Sequence, residues 1–392
     1  MSQDIVILAA RRTPIGAFQG VFTPVSAAQL GAAAIRAAVT DSSVPGEQID
    51  EVIMGCVLQA GQGQAPARQA TLGAGLPNSV PSTTVNKVCG SAMKAMMYAC
   101  DQLKAGSAQA IVAGGLESMT NAPYLLPKAR GGYRMGHGEV LDHMFFDGLQ
   151  NPYDGKMMGL FADTTAAKYA FTREQQDAFA SESVRRAQTA VSNGAFKAEI
   201  ATVTVKTRKG EQIIDSDETP GACDINKITT LRPAFNKDGT VTAASSSSIA
   251  DGAAALVLTT ETYAATLGRK PLARIVAYAS NAHEPEWFTT APVGAIQKVL
   301  NKAGWTADSV DLFEINEAFA CVTMAAMHDL GLAHEKVNIN GGACALGHPI
   351  GAAGTRIVTT LIHALKARGL KRGVAALCIG GGEATAMAIE LL

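Results

Sequence analysis

The 392-residue chain has no uninterrupted apolar stretch approaching the ~20 residues of a membrane-spanning helix, which excludes a helical membrane protein. It also lacks an excess of either charge. Lys and Arg number 33 against 34 Asp and Glu, so nothing global points to nucleic acid or an anionic membrane. No C-x-x-C pair occurs, and the seven cysteines are odd in number and scattered, which argues against a disulfide framework and for a reducing compartment. Cys344 and His348 share a glycine loop without two further ligands nearby, so no metal site is read. Gly114-Gly115 is not a G-x-G-x-x-G fingerprint, and residues 148–156 have the wrong glycine spacing for a phosphate loop. Asp4 ahead of Ile5-Val6-Ile7-Leu8 reads as a first buried strand, not a signal peptide. Arg11-Arg12 has no apolar region behind it, and Ile389-Glu390-Leu391-Leu392 is no peroxisomal address, so the expected location is the cytoplasm.

What the chain does have is alanine, and short β-branched runs alternating with alanine-rich helical stretches. That alternation predicts βαβ units around parallel sheets. A duplication is also visible. A helix over 29–40 and a strand over 49–55 have counterparts in a helix over 293–303 and a strand over 310–316. Leu103-Lys104-Ala105-Gly106 leads into a strand from Ala110, as Leu365-Lys366-Ala367-Arg368 leads into one from Ala375. Two similar α/β halves packed together are expected, with a site where they meet. Between them, residues 120–250 break the repeat, with an amphipathic helix over 174–190 and loops and short strands over 210–232. The division is residues 1–119 with 251–270, an inserted 120–250, and 271–392. A long insertion of this kind is usually a lid or binding subdomain.

Three glycine-framed segments carry the chemistry. Cys89 lies in Asn86-Lys87-Val88-Cys89-Gly90-Ser91, ahead of a helix with Met93, Met96, Met97 and Leu103 on its apolar side. The positive end of a helix lowers a thiol's pKa, so Cys89 is either a buried core cysteine or a nucleophile. His348, between Gly347 and Pro349-Ile350-Gly351, is a satisfied loop histidine or a rigidly held proton carrier. Cys378 ends an apolar strand before Gly380-Gly381-Gly382, where bare backbone lets a ligand approach closely and offers N–H groups. Asn316 either caps a helix starting at Glu317 or orients a water or substrate oxygen. Cys56, Cys100, Cys223 and Cys321 read as core. Two thiols and an imidazole beside bare backbone are what thioester chemistry would need.

Together the segments resemble the thiolase family over nearly the whole chain. The likeness runs from Arg12-Thr13-Pro14-Ile15-Gly16 through 86–90, Gly114-Gly115-Leu116-Glu117-Ser118-Met119, 173–179 and Arg232-Pro233-Ala234-Phe235. It continues in Asp251-Gly252-Ala253-Ala254, Asn316-Glu317-Ala318-Phe319, 341–351 and 378–382. It implies a five-layered α-β-α-β-α fold, built from two βαβαβαββ halves with a loop domain inserted in the first. It also implies an acylated nucleophile at Cys89 and an activating, oxygen-holding histidine at His348. Cys378 would shuttle the α-carbon proton. Asn316 would hold a catalytic water, and the N–H groups of Cys89 and Gly380 would form a second oxyanion hole.

The resemblance further implies coenzyme A thioesters as substrates, no tightly bound cofactor, and coenzyme A contacts at Met158, Ala234, Phe235, Ala243, Ser247, Ala318, Phe319 and His348. A homotetramer, built as a dimer of dimers, is implied as well. The implied reaction is reversible condensation of two acetyl-CoA to acetoacetyl-CoA. Alternatives are a degradative 3-ketoacyl-CoA thiolase, a decarboxylating condensing enzyme and a non-catalytic acyl-CoA carrier. Met157-Met158-Gly159 stands where many short-chain members have His-Met-Gly, and Ala243-Ala244-Ser245-Ser246-Ser247-Ser248 where many have Ala-Gly-Asn-Ala-Ser-Gly. The first departure bears on chain length. The second keeps Ser247.

Overall fold

Strand Ile5–Arg12 sends Val6 and Leu8 to one face and Ile5 and Ile7 to the other, and all four are buried. Strand Arg372–Ile379 divides Val374 and Ala376 from Ala375 and Leu377 in the same way. A sheet apolar on both faces must be covered on both. The computed structural model, which describes residues 4–208 and 210–392, shows what covers it.

In the first half the strand order is Ile5–Arg12, Ala250–Thr260, Ala110–Ser118, Glu51–Gly55, Ser82–Val85. In the second it is Ala273–Ala282, Glu383–Leu391, Arg372–Ile379, Leu312–Ile315. Residues 5–7 pair antiparallel with 273–275, joining the half-sheets edge to edge. Helices Ala27–Ser42 and Pro66–Gly73 cover the outer face of the first half-sheet, with Leu30, Ile35 and Ala70 against Val52, Val112 and Val257. Helix Ala291–Ala303 covers the outer face of the second, with Ile296 and Val299 against Phe313 and Ala386. Helices Ser91–Ala105 and Ala353–Arg368 fill the middle, and their Met93, Met96, Ile357 and Leu361 share one core with Ile7, Ile53, Leu377 and Met387 from both half-sheets. The layers are therefore α-β-α-β-α. Alanine on the helices lets backbones approach closely enough to stack them.

The structure differs from the expected parallel sheets in one respect. Only Glu51–Gly55 with its two neighbours, and Leu312–Ile315 with Arg372–Ile379, pair in parallel. The others pair antiparallel, because each half closes with a returning strand rather than another crossover helix. The duplication holds, although in the second half the third strand shrinks to a single parallel bridge between Phe313 and Val337.

The segment between Ala110–Ser118 and Ala250–Thr260 contains helices Met158–Lys168 and Arg173–Ser192 and a hairpin of Val203–Thr207 with Gly210–Ile214. Thr172 and Gln175 form a capping box on the second helix. Buried Arg12 ties this segment to the first strand through two bonds to the Asp217 carboxylate, 2.7 and 2.9 Å, and one to Glu199. No helix among the described residues is long and apolar enough to cross a membrane.

Gly115 sets how closely the first half-sheet meets the loop after His348, since a Cβ there would lie 2.1 Å from the Gly351 carbonyl oxygen. Backbone cannot swing aside as a flexible side chain can. Gly115→Ala is expected to destabilise the fold by about 2–3 kcal/mol and to lower activity more than stability accounts for. Denaturant unfolding and kcat measured on the same preparation check both.

Candidate active site

Cys89 sits in a tight turn just before helix Ser91–Ala105. The Asn86 side-chain oxygen accepts the Val88 N–H, while the Ser91 hydroxyl accepts the Lys87 N–H and donates to the Val88 carbonyl. Val88 is forced to φ 48°, a conformation that a β-branched residue rarely adopts and that the surrounding bonds must hold in place. Gly90 then presents bare backbone to the Ile379 side chain, where a Cβ would meet Cδ1 at 2.3 Å. This contact brings the turn against the strand that carries Cys378.

The His348 loop is pinned by two buried carboxylates. Glu317 accepts the Cys344 N–H at 3.1 Å, and also the Ser183 hydroxyl and the Asn338 amide. Glu117 accepts the Gly351 N–H at 2.9 Å together with the N–H groups of Val57 and Leu58. Burial raises both carboxyls, Glu117 to about 7, while these N–H donors pull the other way. His348 is buried, and its own N–H donates to the Ser248 carbonyl. The Asn316 amide donates to His348 Nδ1 over 3.4 Å, and Nε2 has no hydrogen-bond partner among the described residues.

Cys89, His348, Cys378 and Gly380 all line one cavity of about 860 Å³ that opens to solvent. Its walls are mostly apolar, and from the expected contacts they include Met158, Phe235, Ser247, Ala318 and Phe319. Ala234 and Ala243 are not among its lining; both are exposed, Ala234 in the chain step beside Phe235. Asn316 does not line it either, standing behind His348. Nor does Asn316 cap a helix, because the helix after it begins at Ala320 with Phe319 as its cap. Met119, Phe145, Leu149, Met157, Phe288 and Ile350 also line the cavity. Of these Met119, Met157 and Ile350 stood in quoted motifs, but only Met157 was read as bearing on the substrate, since apolar residues scattered over loops have no period to reveal them.

The thiol does not behave as its helix position suggested. Burial pushes Cys89 up to about 11, although the backbone N–H groups of Gly380 and Cys89 itself pull it down. Desolvation outweighs the helix end here. Burial and the nearby Arg356 charge push His348 down to about 3, so the imidazole is neutral. Burial, with Cys89 as neighbour, raises Cys378 well above an ordinary thiol. The resting site is thus thiol, imidazole and thiol, all uncharged, beside N–H groups ready for a developing oxyanion.

The pattern of the thiolase N-terminal domain matches residues 5–262, and that of the thiolase C-terminal domain matches residues 269–391. The chain belongs to the thiolase family. It is 50% identical over 392 residues to the acetyl-CoA acetyltransferase of Escherichia coli, covering 100% of both chains. It is 48% identical to that of Pseudomonas aeruginosa over 389 residues, 99% of each. Among solved structures it is similar to the acetyl-CoA acetyltransferase of Bacillus anthracis, with TM-score 0.97 and 41% identity over 100% of this chain and 99% of the other. It is also similar to a thiolase from Ascaris suum in complex with coenzyme A, with TM-score 0.94 and 42% identity over 100% of both. The five layers are those of the thiolase fold.

In this thiolase the neutral, desolvated His348 couples stability to pH. Its folded pKa lies below its unfolded value, so its contribution is complete above the unfolded value and is lost progressively as pH falls from there to the folded value of about 3. Between pH 7 and 5 wild type should lose about 2 kcal/mol more than His348→Asn. Equal losses in paired denaturant titrations at the two pH values would show that the imidazole is solvated.

Proposed function

We propose that the chain is an acetyl-CoA C-acetyltransferase, an acyltransferase that condenses two acetyl-CoA to acetoacetyl-CoA and CoA through an acyl-Cys89 intermediate, and runs in reverse. One observation carries this reading. Cys89, His348, Cys378 and Gly380 meet in a single apolar cavity. The names of the full-length relatives support it.

In the reaction Cys89 sulfur attacks the thioester carbon, the C–S bond to CoA breaks, and the proton lost by Cys89 ends on the departing CoA sulfur. The acyl oxygen is stabilised by donors it finds already in place, the N–H groups of Cys89 and Gly380. A second acetyl-CoA then loses an α-proton to the Cys378 sulfur, which acts as a thiolate after its own proton has passed to solvent. The enolate oxygen is held by His348, with Asn316 contributing behind it. The carbanion forms the new C–C bond to acyl-Cys89 and releases the Cys89 sulfur, which takes the proton that Cys378 carries, and Cys378 regains one from solvent.

Coenzyme A would lie along Met158, Phe235, Ser247, Ala318 and Phe319, with Ala234 and Ala243 on the exposed surface beside them. Residues 1–119 with 251–270 and residues 271–392 would be the two halves, and 120–250 the inserted domain that binds CoA and assembles the oligomer. Exposed Tyr124, Leu126, Tyr133, Met135 and Val140 support that segment as the meeting place of a homotetramer. The setting would be the cytoplasm and acyl-thioester metabolism.

Cys89→Ala should abolish condensation and thiolysis, and intact mass after incubation with acetyl-CoA should show an acetyl adduct on wild type only. Cys378→Ser should still form the adduct while condensation falls steeply, because a serine hydroxyl is a far weaker acid than a thiol. Equal loss of both steps in Cys378→Ser would remove it from the proton-shuttling role.

Acyl-chain length depends on the apolar lining of the cavity, which includes Met157, Leu149 and Phe288. A pocket that accepted extra methylenes would gain ~0.8 kcal/mol per buried CH₂, roughly fourfold each. These bulky walls instead favour a closed pocket, so kcat/KM should be higher for acetoacetyl-CoA than for 3-ketooctanoyl-CoA. The reverse order would identify a degradative 3-ketoacyl-CoA thiolase with the same catalytic residues.

A further inference from the structure

Directly behind His348 lies a buried charged pair that the chemistry above does not use. Arg356, on the central helix Ala353–Arg368, donates from Nη2 to the Asn316 side-chain oxygen at 3.0 Å, and its Nη1 lies 3.6 Å from the Glu314 carboxylate. Arg356, Glu314, Asn316 and His348 are all buried. Holding a guanidinium and a carboxylate out of water is costly, and replacing such a pair with apolar side chains is often neutral or stabilising. The pair also leaves the Arg356 Nε and Nη1 and one Glu314 oxygen without hydrogen-bond partners among the described residues. Fold stability alone is a poor reason for it.

Its consequence is local and directional. A guanidinium only donates, so the Asn316 end facing Arg356 has to be the carbonyl oxygen. The Asn316 NH₂ must then face His348 Nδ1, the atom that it reaches at 3.4 Å. A neutral imidazole offered a donor at Nδ1 keeps that nitrogen bare and carries its proton on Nε2. Nε2 is the ring nitrogen left unpartnered, and His348 lines the cavity.

We propose that Arg356, with Glu314 as its counter-ion, is a positioning residue that fixes the Asn316 amide and so holds His348 in the Nε2–H tautomer, a ready donor to the thioester oxygen. In that tautomer Nε2 has no free lone pair for the Cys89 proton. His348 therefore acts first as an oxyanion donor, and the ring needs no net charge change when the thiol proton leaves with CoA. This rests on the acyltransferase reading above.

The test is ¹⁵N NMR of protein labelled on histidine, with the His348 signals assigned by their absence in His348→Asn. Wild type should show a bare Nδ1 and a protonated Nε2. Asn316→Asp, which offers acceptors at both ends, should move the proton to Nδ1. Arg356→Gln, which can present either end of its amide, should mix the tautomers and lower kcat for condensation by about 10- to 100-fold, with KM for acetyl-CoA within about threefold. Arg356→Lys should recover part of that loss. A protonated Nδ1 in wild type overturns the proposal, as does an unchanged tautomer and kcat in Arg356→Gln. If Arg356→Gln does not fold, wild type and Asn316→Asp decide it by the same signals. The acetyl adduct on wild-type Cys89 separates the two readings. An adduct together with a protonated Nδ1 sinks only the tautomer, whereas no adduct sinks the acyltransferase assignment itself.

Discussion

Two helices packed between two half-sheets are the constraint on which the rest of this structure depends. Ser91–Ala105 and Ala353–Arg368 bury their apolar sides against each other and against the inner faces of both half-sheets. Neither half could bury its inner face alone. The preceding chain of each helix carries the chemistry, Cys89 in one turn and His348 in the other loop. Packing the helices together therefore brings the Cys89 thiol and the imidazole to one cavity.

Precision at that junction comes from bare backbone and buried carboxylates. Gly90 against the Ile379 side chain and Gly115 against the Gly351 carbonyl allow close approach where a Cβ would hold the segments apart. Glu117 and Glu317 then fix both ends of the His348 loop by accepting its N–H groups. A carboxylate buried this deeply is costly unless it is well bonded, and each of these accepts at least three donors. The same economy governs the site itself. Desolvation keeps Cys89, His348 and Cys378 uncharged at rest, so charge develops only where N–H groups already point.

Much of this was legible beforehand. The duplication showed in repeated helix–strand pairs, because each half must rebuild the same two-faced sheet and so repeats its apolar pattern. Cys89, His348, Cys378 and Gly380 were legible because glycines frame them, and unusual backbone needs unusual residues. The antiparallel closing strands were not, since pairing direction leaves no trace in the composition of a strand buried on both faces. Glu117 and Glu317 stood inside quoted motifs without revealing their partners, which lie 234 and 27 residues away.

By itself the sequence determined the layered α/β class, the paired halves, the inserted segment and four residues that line the cavity, because local pattern and special backbone residues encode these. Only the tertiary structure decided the charge states and orientations. Burial reversed the expected shift of the Cys89 thiol, Asn316 turned from a helix cap into a partner of His348 and Arg356, and Phe145, Phe288 and Ile350 came to line one cavity. Desolvation, hydrogen-bond direction and shape depend on which distant residues surround a group, and no local stretch of chain specifies that.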